Sequence, residues 1–260
     1  CAALTGSIVT GIFTFCIRRA SYRSGPLLSK GSGSFLSFFS RIFSILFIVR
    51  HIITIKAIVA MDKHPAVPLY LASTSVYRQQ LLTKLTSQFC AVKPNVDETP
   101  KPGESAEQLV RRLALAKAQA VADNIKQGLV IGSDQVAVFN QRIIGKPHTI
   151  DNAVMQLREF SGQTVTFLTG LALVNAQNGN SQLVVEPFEV SFRSLSDAEI
   201  RAYIAKEQPL DCAGSFKSEG LGISLFSKLN GNDPNSLIGL PLLQLNQMLL
   251  NEGVNVLLQS

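Results

Sequence analysis

Apolar and polar positions along residues 61–260 fall into blocks whose period switches between two and about 3.6, the pattern of strands alternating with helices. The central block is Leu129–Phe139, LVIGSDQVAVF, which reads as a buried strand interrupted at one point by the carboxylate and amide of Asp134 and Gln135. Ahead of it, residues 68–72 predict a short strand. Ser73-Thr74-Ser75 then turns into a helix over 77–89, with Leu81, Leu82 and Leu85 as its apolar stripe. Residues 90–96 predict a second strand ending at Asp97-Glu98. Ser105 and Gln108 have capping-box spacing and open a helix to about residue 124, with Leu109, Val110, Leu113, Ala116, Ala120 and Val121 on its buried face. Beyond the central block, Asn140-Gln141 predicts a hairpin turn and Arg142-Ile143-Ile144 the returning strand. Asp151 is expected to cap a helix to Phe160, and residues 163–175 and 183–192 predict two long strands joined at Asn178-Gly179. Ser196 and Glu199 form another capping box for a helix to Glu207. A glycine-spaced loop over 213–222, a strand over 223–229 and a helix over 234–251 complete the pattern. The hairpins and the alternation specify an α/β fold, a mixed twisted β-sheet with flanking helices.

An ionised carboxylate inside a buried strand is costly without a partner or a metal. Asp134 is therefore expected at the mouth of a cleft on a rigid strand, where a general base or metal-binding carboxylate belongs; the plainer reading is a strand-end Asp closing a turn. Gly132 permits close backbone approach or a bulge. Hydroxyls of Ser73 and Ser75 at a helix start suit an anion, and Arg78 can add a forked guanidinium; more plainly, Ser75 caps the helix and Arg78 is solvated. Asp97 and Glu98 close a turn or bind a metal or ribose. Lys117, four residues after Leu113, shares its face, and either snorkels outward or points into the cleft. Gly145-Lys146-Pro147 is a stiff loop suited to fixing a point charge.

Charge changes the picture of the first 60 residues. Seven of the 24 Lys and Arg residues and none of the 18 Asp and Glu residues fall there, which leaves 17 basic against 18 acidic residues beyond and removes the basic character from the domain. Its two apolar runs are shorter than the ~20 residues a membrane-spanning helix needs. Residues 1–60 are expected to be a basic apolar leader, either a translated upstream region or a targeting segment, with Met61 beginning the functional domain of residues 61–260. The four cysteines contain no C-x-x-C and the three histidines no H-E-x-x-H, so a zinc ribbon, a redox pair and a zinc protease are not indicated. Cys90 and Cys212 fit a reducing cytoplasm, with a single bridge left open. Neither His64 nor His148 has the setting of a Ser-His-Asp base. Chemistry here rests on carboxylates and cations.

The ordered set Ala72-Ser73-Thr74-Ser75-Val76-Tyr77-Arg78, Val96-Asp97-Glu98, Lys117, Gly132-Ser133-Asp134-Gln135, Gly145-Lys146-Pro147 and Cys212–Gly222 resembles the Maf-like nucleotide pyrophosphatases over about residues 69–256. CAGSFKSEGLG, with Gln135 after the aspartate, is similar to the 7-methyl-GTP subgroup; Tyr77 stands where that subgroup more often carries Trp. The resemblance implies two lobes around a nucleotide-binding cleft and hydrolysis between the α- and β-phosphates. Asp134 is the implied catalytic base. Ser73, Ser75, Arg78, Glu98, Lys117 and Lys146 are implied to bind substrate, and Tyr77, Gln135 and Glu219 to set specificity. A divalent cation, Mg²⁺ or Mn²⁺, would be held by Asp134 and Glu98. A modified nucleoside triphosphate is the expected partner, with a homodimer left open and neither nucleic acid nor membrane expected at the domain. Pyrophosphatase action on dTTP or UTP, or non-catalytic nucleotide binding, are the alternatives.

Overall fold

A computed structural model describes residues 67–258; the expectations for residues 1–60 and for Met61 lie outside the described residues. The elements in chain order are β1 (Leu69–Leu71), α1 (Val76–Leu82), β2 (Cys90–Ala91), α2 (Ala106–Ala122), β3 (Leu129–Phe139), β4 (Arg142–Ile144), α3 (Ile150–Phe160), β5 (Thr164–Asn175), β6 (Ser181–Phe192), α4 (Asp197–Glu207), β7 (Phe226–Gly231), α5 (Pro234–Ile238) and α6 (Leu242–Asn251). They build a mixed sheet in the order β2-β1-β3-β5-β6-β7, with β4 also paired to β3. β2, β1 and β3 run parallel, whereas β3–β5, β5–β6, β6–β7 and β3–β4 are antiparallel.

The long strands carry three apolar cores, one at one end and two at the other, and a polar belt between. At one end Phe139, Phe160, Phe167, Phe188, Phe192 and Phe216 pack together, with edge-to-face contacts such as Phe167–Phe216 at 5.2 Å. At the other end the cores are aliphatic: Leu71, Leu82, Ile131, Leu171, Leu173 and Leu249 on one face, and Ala114, Ala118, Val130 and Val174 on the other. Ser133, Asp134, Thr169 and Glu186, all buried, lie mid-strand between these ends.

β3 also changes partner at this belt. β1 pairs with Leu129, Val130 and Ile131, and β4 takes up the same flank only at Ala137. Among the described residues, 132–136 have no strand partner on that flank, so the sheet opens there. On the other flank β3 is continuous, with Asp134 opposite Gly170. The expected interruption is thus a gap in the neighbouring strands and not a break in β3.

Several boundaries differ from the sequence reading. The helix expected over 77–89 stops at Leu82; Thr83 Oγ1 turns back to the Gln80 carbonyl at 2.6 Å, competing with the helical ladder. The strand expected over 90–96 is two residues long; Pro94 has no N–H to donate and cannot extend the ladder. Thr149, not Asp151, caps α3. On α2 Leu109, Val110, Leu113 and Val121 are buried as expected, joined by Ala114, Ala118 and Ala122, while Ala116 and Ala120 are only half-buried. Both capping boxes form. The strand expected over 223–229 is displaced to Phe226–Gly231 by a 3-10 turn at Leu221–Leu225. The last helix is two helices, ended by Gly239 at φ 111° and restarted after Pro241.

Candidate active site

Two glycines set one side of the site. A Cβ at Gly132 would lie 2.2 Å from the Ala114 carbonyl, and one at Gly170 would lie 2.3 Å from that of Val110. Their absence lets α2 press directly on the sheet. That approach brings Lys117 to β3, where its Nζ sits 2.7 Å from Asp134 Oδ1 and 2.9 Å from Glu98 Oε1. Lys117 and Asp134 are 6% and 7% exposed, whereas the Glu98 side chain remains 60% exposed. An ammonium has three protons; one is donated to Asp134 Oδ1, Glu98 is an ion-pair partner, and donor capacity remains for a ligand oxygen. Asp134 Oδ2 takes no hydrogen bond among the described residues. Two carboxylates focused on one point form a hard-oxygen donor pair. Among the described residues no group of three or more His, Cys, Asp or Glu side chains is arranged to hold a metal.

On the opposite face of β3 the side chains of the strand itself are neutral. The Gln135 amide donates to Thr169 Oγ1 at 2.9 Å, to the Ser236 carbonyl at 2.8 Å and to that of Leu237 at 3.2 Å. Ser133 Oγ donates to the Gly239 carbonyl at 2.8 Å. Arg78 Nε donates to the same carbonyl at 2.9 Å, which leaves its two terminal NH₂ groups for the cleft. Burial lowers the Arg78 pKa, and Asp134 and Glu98 oppose that shift, so this guanidinium is in electrostatic reach of the carboxylate side as well.

Between β3 and the loop after α4 lies a cleft enclosing about 160 Å³, lined among others by Ser75, Tyr77, Arg78, Gln135, Lys146, Asp211, Cys212 and Glu219. This is below the roughly 300–1,000 Å³ of ordinary small-molecule sites. A larger, more open hollow of about 570 Å³ lies elsewhere, against Lys101, Glu104, Arg111 and Arg112. Arg112 and Glu104 pair there at 2.6 Å, and none of the expected site residues borders it.

The cleft's far wall is held by α4. Tyr203 Oη accepts from Lys217 N at 3.0 Å, Lys217 Nζ donates to the Glu207 carbonyl at 2.8 Å, and Glu207 Oε1 accepts from Leu221 N at 2.8 Å. Lys217 therefore serves the loop and Glu219, exposed, borders the cleft. The Lys146 loop is pinned by Asn152 Nδ2 on the Pro147 carbonyl at 2.9 Å and by His148 N on the Leu210 carbonyl at 3.0 Å. Burial first, then the neighbouring Cys212, Asp211 and Glu219, push the Tyr77 hydroxyl up to about 12. Burial and Asp211 push the Cys212 thiol up to about 12 as well. Both are neutral at neutral pH, so the wall's charge is carried by Asp211 and Glu219.

The structure thus gathers Asp134, Glu98 and Lys117 on one side, and Ser75, Tyr77, Arg78, Gln135, Lys146 and Glu219 around the cleft. Ser73 does not border it: its Oγ accepts from Ser75 N at 3.1 Å, and Ser75 Oγ in turn caps the short helix α1. The two hydroxyls serve the turn. Sequence reasoning missed Asp211, Thr169 and the carbonyls of Ser236, Leu237 and Gly239. The Gly239-x-Pro241 stop signal marks where the last helix breaks and turns its carbonyls to β3.

A carboxylate–ammonium pair beside a cleft ringed by cations and acids is the equipment of a phosphate-ester or anhydride hydrolase, and the chain belongs to the Maf-like protein family, whose model matches residues 68–252. It is 57% identical over 190 residues to a protein of Pseudoalteromonas translucida named 7-methyl-GTP pyrophosphatase, covering 73% of this chain and 94% of that protein. A Pseudomonas aeruginosa protein of the same name is 55% identical over 188 residues, covering 72% of this chain and 98% of its own length. Among solved structures, a Ham1 protein of Staphylococcus aureus is a more distant likeness, at 11% identity and a TM-score of 0.42 over 71% of this chain and 99% of its own.

Proposed function

We propose that the chain is a nucleoside triphosphate pyrophosphatase that hydrolyses 7-methyl-GTP to 7-methyl-GMP and pyrophosphate. Its relatives' names support the reaction. The observation that carries the substrate is the mix of charge lining one cleft: Asp211 and Glu219 close to Tyr77, together with the cations Arg78 and Lys146. A 7-methylguanine ring is positive and a triphosphate negative, so the ligand matches both. A cation over an aromatic face contributes up to about 2 kcal/mol when desolvated, and a charged hydrogen bond about 1.5–3 before desolvation costs, which together favour the methylated base by tens- to several-hundred-fold over neutral GTP.

In this reading Arg78, Lys117 and Lys146 neutralise the triphosphate as its charge shifts toward the leaving pyrophosphate. Asp134 Oδ2 takes the proton of the attacking water while Oδ1 stays on Lys117. Asp134 and Glu98 fit Mg²⁺ or Mn²⁺ held jointly with substrate, because such ions use one or two carboxylates together with phosphates and waters; the ion supplies charge neutralisation at the phosphates. Cys90 and Cys212 are free thiols, which supports the cytoplasm as the site of action.

The test is pyrophosphate release from 7-methyl-GTP, GTP, UTP and dTTP. Highest kcat/KM on 7-methyl-GTP is the expected result. Higher efficiency on UTP or dTTP would leave the reaction standing and overturn the substrate.

A further inference from the structure

Thr169 lies mid-way along β5, opposite Gln135 and fully buried. Its Oγ1 donates to the Ser236 carbonyl at 3.0 Å. That commits the single hydroxyl proton, so only lone pairs face Gln135, whose Nε2 lies 2.9 Å away. The two protons on that nitrogen are shared among Thr169 Oγ1 and the carbonyls of Ser236 and Leu237. A reversed amide would set its oxygen against the carbonyls of Ser236 and Leu237, and against Thr169 Oγ1 while that hydroxyl donates to Ser236, so the surroundings dictate the orientation. Among the described residues no donor faces Gln135 Oε1. No buried side-chain polar atom lacks a partner, so this oxygen reaches the cleft that Gln135 lines.

We infer that Thr169 is a positioning residue that locks the Gln135 amide with its oxygen outward, so that the cleft reads a hydrogen-bond donor edge on the base. The inference rests on the guanine-nucleotide reading above. Guanine offers two adjacent donors, N1–H and the 2-amino group, and N7-methylation withdraws electrons and strengthens N1–H as a donor. Adenine presents an acceptor at N1 and meets the Gln135 oxygen unfavourably. Hypoxanthine keeps N1–H and lacks the amino group.

The experiment compares kcat and KM on 7-methyl-GTP and 7-methyl-ATP for the unmodified protein, Thr169→Val and Thr169→Ser. Val keeps the shape and removes both hydrogen bonds; Ser keeps the hydroxyl. Loss of one or two neutral hydrogen bonds is worth roughly tenfold. Thr169→Val should therefore reduce the preference for 7-methyl-GTP by about tenfold, chiefly through KM, while Thr169→Ser retains it. Full retention of the preference in Thr169→Val, or an equal loss in both variants, would overturn the lock. If the unmodified protein prefers another triphosphate, the substrate reading fails, and the lock is judged by whether Val and Ser differ on that nucleotide. Should Thr169→Val not fold, hydrogen exchange of the Gln135 side-chain amide in the unmodified protein decides: slow exchange supports the lock, and exchange as fast as that of exposed Gln80 overturns it.

Discussion

Asp134 and Gln135 are consecutive on one strand, and the pleat sends them to opposite faces of the sheet. On Asp134's face a helix is drawn onto two glycines and delivers a buried ammonium to a buried carboxylate. On Gln135's face the amide itself is held by neutral groups, a hydroxyl and two backbone carbonyls. The first arrangement suits proton removal and phosphate charge, where a strong local field helps. The second suits recognition, where a fixed polarity matters more than field strength. On one flank β3 has no strand partner among the described residues at 132–136, the stretch that carries both side chains. Arg78, anchored on the Gly239 carbonyl and within reach of Asp134, connects them.

The sharpest way to break this comparison is Asp134→Asn. The amide keeps the shape and loses the basicity, so kcat should fall about 10²–10⁴-fold. Equilibrium binding of a non-hydrolysable analogue should stay largely intact. Near-normal turnover would remove Asp134 from the chemistry.

Gly132→Ala attacks the same face through packing. Its Cβ would meet the Ala114 carbonyl at 2.2 Å and the Ala118 nitrogen at 2.7 Å, both backbone atoms that cannot rotate away. Urea unfolding should show a loss of about 1–3 kcal/mol, and displacement of Lys117 should raise KM. An unchanged unfolding midpoint would mean that α2 does not seat on this glycine.

Glu219→Gln addresses the recognition side. Removing one of two acids from the wall should shrink the preference for 7-methyl-GTP over GTP several-fold, in line with one charged hydrogen bond made neutral. Hydrolysis of UTP should change less. Equal slowing on all three nucleotides would move Glu219 out of base recognition.

The smallest expected effect is chemical. Cys212, pushed up to about 12 in the cleft wall, holds almost no thiolate at pH 8, so iodoacetamide should label exposed Cys90 well before it. Raising the pH toward 12 should close that gap, since the thiolate fraction of Cys212 rises as pH approaches its pKa. Peptide mass mapping follows both sites, and rapid labelling of Cys212 at pH 8 contradicts a buried neutral thiol.

The carboxylate face was legible in the sequence and much of the recognition face was not. Asp134 shows because a charge inside an apolar block has few explanations, and Lys117 shows because a lysine falls on the buried stripe of a helix. Gln135 shows as a position, but what fixes its amide does not. Thr169 is an ordinary strand former in a run of strand formers, and the carbonyls of Ser236 and Leu237 belong to the backbone, which leaves no side-chain signature. Asp211 looks like any turn acid until the loop after α4 closes over the cleft. The boundary errors have local causes that were visible, Pro94 within one strand and Gly239-x-Pro241 within one helix, and both outweigh the apolar periodicity around them.

The central claim is that chemistry and base reading sit on opposite faces of one strand. Steady-state kinetics of Asp134→Asn and Gln135→Ala on 7-methyl-GTP and UTP test it directly. Asp134→Asn should lower kcat by a similar factor on both nucleotides and leave their ratio of kcat/KM unchanged. Gln135→Ala should lower that ratio by about tenfold or more, the scale of a lost base contact, and leave kcat on UTP nearly unchanged. A Gln135→Ala variant that loses kcat equally on both nucleotides, or an Asp134→Asn variant that changes the ratio, would contradict the division.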